Sequence, residues 1–478
     1  MKRSFTYLFI LACLTLHVVM LSSCANILPP SGGLIDSLPP RMVNALPKDS
    51  AVKVPLTTKN IVLTFDEYIQ LQNPLDVIVS PIPSQNGFPV VDYKLRNVTI
   101  KLKDTLEPNT TYSFNFGDII RDVNEGNIAK NFTYAFSTGN TIDYNAYSGK
   151  VLEAETGKPY RDSSLIVILH RNLADTAVKK LSPRYFARTN GKGEFTFRNL
   201  PQGTFAVYVV SSLFTKKYDD STQMFAFRSN PITISASTPR DTLYAYEEVK
   251  RVAPTSGVLS SLSSGSRPAP NAKETDKRLK YTIELDNGLQ DLLSNMTLTF
   301  NRKLTVFDST KFGLYDTGYN RLSGYSFSLD STKTKVIVQY KWKEATLLRL
   351  LIAKDAVADS AAVTLTKADT LRFATKREAD YGSLHLRFTN LDLSKNPVLQ
   401  LVQGEKLIES VALTQPDFQR KLFRPGVYDV RILYDVNKNG KWDPGKFFGE
   451  KKQPETVFLV SKQVAVRANW DNDVPITL

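Results

Sequence analysis

Cysteine is almost absent from this chain of 478 residues. Its two copies, Cys13 and Cys24, both precede residue 25. The rest of the sequence therefore holds no disulfide and no thiolate metal site. Histidine is nearly as scarce, with only His17, His170 and His385. His170 ends the apolar run Leu165-Ile166-Val167-Ile168-Leu169, and His385 alternates with Leu384 and Leu386. Neither stands at metal-ligand spacing, so both read as structural. Long helical periodicity is also missing. There is no metalloprotease helix motif, nucleophile elbow or phosphate-binding loop. Adjacent carboxylates such as Asp219-Asp220 point to opposite faces of a strand and do not converge on one bond. These absences remove the familiar catalytic sets, and the chain is expected to be non-enzymatic.

Period-two alternation is what the sequence has instead. Ile61, Leu63 and Phe65 alternate with Val62 and Thr64. Tyr112, Phe114 and Phe116 alternate with Ser113 and Asn115, and Phe132, Tyr134 and Phe136 follow suit. Such segments predict half-buried antiparallel strands, apolar inward and polar outward. Many short strands with turn residues between them read as β-sandwiches, so the fold class is all-β. The net charge is +14, and losing Lys2 and Arg3 leaves +12. The basic residues are scattered, with short clusters such as Lys446 to Lys452. That pattern fits an exported protein near an anionic envelope better than a nucleic-acid partner.

The N-terminus carries an address. Lys2 and Arg3 precede an apolar run from Phe5 to Leu21, closed by Leu21-Ser22-Ser23-Cys24. This resembles a bacterial lipoprotein signal with its lipobox. The resemblance implies that residues 1–23 are removed and that Cys24 is lipidated. Several acyl chains hold a protein stably where one binds reversibly. An uncleaved transmembrane helix is the competing reading, but the run is near the lower length limit. Residues 24–37, with Pro29, Pro30, Gly32 and Gly33, read as a tether. The predicted location is the outer membrane, lipid-anchored, on its periplasmic or cell-surface face.

The remaining chain divides into modules. Thr64-Phe65-Asp66-Glu67-Tyr68, Leu106-Glu107-Pro108-Asn109-Thr110-Thr111-Tyr112, Asp122-Val123-Asn124-Glu125-Gly126-Asn127 and Phe136-Ser137-Thr138-Gly139 lie within residues 38–142. Together they resemble the bacterial Ig-like domain named after S-layer proteins. Residues 143–249 contain the hairpin signal Asn190-Gly191-Lys192-Gly193. They resemble the prealbumin-like β-sandwich of carboxypeptidase regulatory domains. Residues 250–278 are rich in Ser, Pro and Ala and read as a flexible linker. Then the order repeats. Met296-Thr297-Leu298-Thr299-Phe300 echoes Ile61-Val62-Leu63-Thr64-Phe65, and Phe423-Arg424-Pro425-Gly426 echoes Leu200-Pro201-Gln202-Gly203. Residues 279–378 are predicted to be a degenerate Ig-like domain and residues 379–478 a last β-sandwich. As a whole the chain is similar to Ig-like-domain lipoproteins of the Bacteroidota. That likeness implies envelope attachment and a structural, adhesion or binding role, with no catalytic set to transfer.

One loop carries a sharper chemical signal. Asp435-Val436-Asn437-Lys438-Asn439-Gly440-Lys441-Trp442-Asp443 places oxygen side chains at alternate positions before a glycine turn. Asp435, Asn437, Asn439 and Asp443, with the Lys441 carbonyl, are the expected ligands of a calcium ion. Lys446 stands where an EF-hand has its bidentate glutamate, with Glu450 as a substitute. The competing reading is a polar hairpin whose Asn and Gly residues make turns. The expected function is an envelope scaffold or adhesion surface, partnered by an envelope protein or glycan. A glycan-binding component of a polysaccharide-uptake system and a hydrolase with an unrecognised site are the rivals.

Overall fold

The computed structural model describes residues 35–83, 87–160, 165–211, 213–250 and 278–478. The signal segment, Cys24 and residues 251–277 of the linker lie outside them. The described chain is all-β, a series of tandem Ig-like β-sandwiches. No helix among the described residues is long and apolar enough to cross a membrane.

In the first module, one sheet takes the order Met42–Leu46, Asn60–Phe65, Asn97–Lys101, Val90–Lys94. The other takes Ile78–Ser80, Thr111–Gly117, Phe132–Ser137. Alternation puts Ile61, Leu63, Phe65, Val98 and Ile100 against Phe114, Phe116, Tyr134 and Phe136. One expectation fails here. Ser113 and Ala135, read as outward, are buried. Ser113 shares a crevice with Phe186, Ala187 and Phe197 of the second module, and Ala135 pairs with the first module's own segment at Ser50, whose N–H donates to its carbonyl (2.7 Å).

The third module repeats this strand order. Tyr281–Ile283, Met296–Phe300, Lys335–Gln339 and Ser326–Leu329 form its first sheet. Phe312–Tyr315, Leu347–Ile352 and Asp369–Thr375 form the second, with Leu289–Gln290 added in parallel. The first module has the same parallel contact as a single bridge, Ala51 to Phe136.

The second and fourth modules also match strand for strand. The second has a three-stranded sheet, Glu194–Leu200, Asn145–Glu153, Asp241–Ala245. Its five-stranded sheet joins Tyr185–Arg188, Ile166–His170, Gly203–Val210 and Phe225–Phe227, with Ile232–Ile234 also on Gly203–Val210. In the fourth, the sheets are Asp417–Phe423, Gly382–Thr389, Asp471–Thr477 and Lys406–Ala412, Pro397–Gln403, Gly426–Tyr434, Val457–Leu459, with Val464–Val466. Each first strand pairs in parallel with the last. In the second module that close pairing needs a small residue: a Cβ on Gly149 would lie 2.3 Å from the Asp241 carbonyl oxygen.

Contacts run first to second, second to fourth, and fourth to third. Arg184 pairs with Glu107, and Arg188 with Asp76, across the first junction. Arg424 grips Asp291 with two hydrogen bonds of 2.8 and 3.1 Å between fourth and third. That guanidinium helps hold the Asp291 carboxyl below its usual range against the opposing, larger effect of burial. A flexible linker leaves open whether the two halves dock. The second and fourth modules do touch, and their contact is the largest feature left to explain.

Candidate functional site

The second module presents an apolar outer face. Ile166–His170 is buried at every position, as is Phe205–Val210 within the next strand. A strand covered on both faces reads as a continuous apolar run rather than an alternating one. Val167 and Leu169 fill the module's own core, while Ile166 and Ile168 belong to a separate cluster on the other side. His170 points the same way as Ile168, edge-on to Tyr208 at 5.9 Å. Burial pushes its imidazole down to about 4, so it is neutral.

A segment of the fourth module covers this face. Strand Gly426–Tyr434 runs into the loop 435–443, and the chain then extends to Lys452 before returning in Val457–Leu459. Phe447 is 1% exposed. Its ring lies 4.9 Å from Phe227, 5.2 Å from Phe225 and 5.5 Å from Tyr208. Phe448 stacks on Tyr218 at 5.9 Å, and Tyr218 stacks on Phe225 at 3.8 Å. Polar contacts fix the register. The Phe447 N–H donates to Glu248 (2.9 Å), and the Gln453 amide donates to the Phe227 carbonyl (2.9 Å). Lys451 pairs with Asp175 and Lys158 with Asp429. Backbones approach closely, too: the Val457 N–H donates to the Ala154 carbonyl, and a Cβ on Gly157 would lie 2.4 Å from the Val457 oxygen.

The loop 435–443 is the base of this clasp. Asp435 is buried and accepts N–H bonds from Asn439 (3.2 Å) and Gly440 (2.6 Å). Gly440 has φ +75°, a conformation glycine adopts at no steric cost. Asn437 and Asn439 each accept a backbone N–H two residues on. Their amide nitrogens both donate to Asp443. Lys441 is exposed. Glu450, the expected substitute ligand, is exposed near Lys446 and does not join the loop. Glu455 joins instead, a residue that the sequence reading missed. It is buried and accepts from Val436 (2.7 Å) and Asp443 (3.1 Å). Burial pushes its carboxyl up, Asp435 and Asp443 add to that, and the two N–H bonds oppose it.

The side-chain oxygens of Asp435, Asn437, Asn439 and Asp443 all accept hydrogen bonds from N–H groups of the loop itself. No group of three Asp, Glu, His or Cys side chains is placed to hold a metal among the described residues. The loop also positions an aromatic side chain. It aims Trp442, whose indole N–H donates to the Glu455 carbonyl (2.8 Å), into contact with Val398, Leu433 and Val457. Beside it runs a cleft of about 750 Å³ between the two modules, lined by Gln400, Glu405, Arg431 and Trp442 among others. Cys24 lies outside the described residues.

Two measurements check this site. Phe447→Ala should weaken the docking of the second and fourth modules by about 3–5 kcal/mol. Small-angle scattering should show expansion while the β-sheet circular dichroism persists; an unchanged profile would mean that the clasp is not closed in solution. Asp435→Ala should lower stability by about 1–3 kcal/mol with or without calcium, because it strands two N–H groups. A melting temperature that rises with calcium in the parent and not in Asp435→Ala would establish the metal reading.

Known proteins give a partial match. Residues 36–138 match the family model of a bacterial Ig-like domain. No curated protein matches the chain. Among solved structures, native alpha-2-macroglobulin from Escherichia coli is 12% identical, covering 38% of this chain and 72% of that one, at a TM-score of 0.20. The Bacillus anthracis TIE protein is 10% identical over 94% of this chain and 76% of its own, at 0.17. The N-terminal part of the bacterial S-layer protein SbsC is 14% identical over 43% and 44%, at 0.16. Likenesses this distant carry nothing about function. The chain is an all-β protein of tandem Ig-like sandwiches, and its first module is similar to the bacterial Ig-like domain.

Proposed function

We propose that this chain is a non-enzymatic cell-envelope lipoprotein, held at the outer membrane through Cys24, that acts as a structural or adhesion scaffold. The observation that carries the reading is the aromatic clasp. A chain of four modules joined by a flexible linker would present its surfaces in many arrangements. Burying Phe447 against Phe225 and Phe227 selects one. A fixed arrangement on a tether suits a protein that presents surface, with an envelope protein or a glycan as partner. The two described histidines support a non-enzymatic role. His170 is buried and neutral, and His385 sits on a strand surface between Asp417 and Asp473 at 3.8 and 3.7 Å.

The cleft favours a second reading, a glycan-binding component. Aromatic and planar polar side chains such as Trp442, Gln400 and Glu405 are the groups that stack on and hydrogen-bond to sugars, and the cleft lies within the usual size range of ligand sites. Saturable binding of envelope polysaccharide that Glu405→Ala weakens would support it; no binding by the parent would remove it.

The anchor is tested by fractionation. Cys24→Ala should move the protein from the membrane to the soluble fraction. Continued sedimentation with membranes would sink the lipoprotein reading.

A further inference from the structure

Exposed apolar side chains are unevenly distributed. Among the described residues, 12 of 28 large exposed apolar side chains belong to the first module, which holds about a quarter of those residues, and Ile35 of the tether lies beside them. Clustering of this kind marks contact surfaces, whereas scattered single residues do not. Five of them, Ile35, Leu38, Tyr68, Leu95 and Val123, lie on loops at one pole. Hydrogen bonds hold these loops together. The Val123 N–H donates to the Tyr68 carbonyl (3.1 Å), and the Ile69 N–H to the Leu95 carbonyl (3.0 Å). The Asn127 amide donates to the Asp36 carbonyl (2.9 Å), and the Leu38 N–H to the Asp36 carboxylate (2.9 Å). The Arg96 guanidinium lies over the Tyr68 ring at 5.2 Å.

Leu95 is the informative member. It forms the tip of the hairpin between Val90–Lys94 and Asn97–Lys101, with φ +57°. Leucine is disfavoured in that left-handed region, which Asn or Gly adopts more readily. It is also 63% exposed, so burial does not offset the strain. The fold has no use for a leucine there, and a strained backbone position of this kind points to function.

The tether arrives at this same pole. Cys24 precedes Ile35 by eleven residues. At about 3.3–3.6 Å per residue they span at most ~40 Å. We infer that the tether-side pole of the first module rests on the lipid surface, with Leu38, Tyr68, Leu95 and Val123 entering the headgroup region. The inference builds on the lipid-anchor reading of Cys24. Tyrosine suits that depth, where one end is apolar and the other wet. The contact is apolar in character, because Asp36, Asp66, Glu67 and Glu125 share the pole with Arg41 and Arg96. Zwitterionic lipid is therefore the surface it fits, despite the net charge of +14.

The test uses the chain from residue 25, which lacks the lipid and keeps every described module. It should co-sediment with phosphatidylcholine vesicles. Leu95→Asn should lower the bound fraction roughly tenfold, with an unchanged or higher melting temperature. Val427→Asn, an exposed apolar site on the fourth module, should change nothing. The inference is overturned if the parent does not sediment, or if Leu95→Asn binds as the parent does. It is equally overturned if binding requires anionic lipid and vanishes with salt, or if the pole pairs two copies of the chain, seen as a dimer that Leu95→Asn dissociates. Failure of the anchor reads out separately, in the Cys24→Ala fractionation, because the vesicle assay contains no acylated protein.

Discussion

The arrangement of this protein depends on the burial of Phe447. The second module is built with an outer sheet face that cannot stand in water. Ile166, Ile168, Tyr208, Phe225 and Phe227 all lie on it, and all are buried. Left open, that face would be an exposed apolar patch of the kind that drives association. The fourth module supplies the cover from a position more than two hundred residues later in the chain. The other junctions carry ion pairs, and the first module adds Ile78 and Ile82 to the same apolar cluster. Arg184 with Glu107 and Arg424 with Asp291 set angles between neighbours, whereas the clasp decides which modules are neighbours.

The second and fourth modules match in fold and differ in what their loops carry. They share eight strands in one order, including the parallel pair of first and last. Their equivalent loops have taken complementary roles. In the second module Tyr218 folds back onto Phe225 and becomes part of the receiving face. In the fourth, Trp442 braces the loop's base and the chain beyond it reaches outward with Phe447 and Phe448. One copy became a socket and the other a plug. A symmetric pair would carry two sockets, with nothing to cover either apolar face, or two plugs, with no face to receive them.

The fold was legible because alternation is a local signal. Ile61, Leu63 and Phe65 announce a half-buried strand whatever lies elsewhere in the chain. The clasp is not local, and its clues were read as something else. The run Leu165 to Leu169 has no alternation, which is the mark of a strand covered twice. Phe447 and Phe448 sit inside the basic stretch Lys446 to Lys452, where charge masks them. Once folded, Lys451 reaches Asp175 and the rings turn inward. The loop Asp435 to Asp443 was visible as a turn with oxygen donors, yet Glu455 was not, since it lies twelve residues on without any repeat to mark it. Sequence spacing reports which groups are present; only the closed backbone reports which N–H groups they serve.

That distinction bears on how a tethered scaffold works. Lipid on one residue fixes a point, and a flexible chain of modules beyond it would sweep a hemisphere. Each constraint added to the chain shrinks that volume. The clasp removes freedom between the halves, and the polar junctions remove it within them. With the proposed anchor at Cys24, what would remain is the swing about the tether itself, which a single anchored residue cannot restrain. The strained, exposed Leu95 and its neighbours stand at the one place where a further contact would act on that last freedom. A protein that presents a surface gains from order at its middle junction and at its foot, and apolar groups of this chain stand at both.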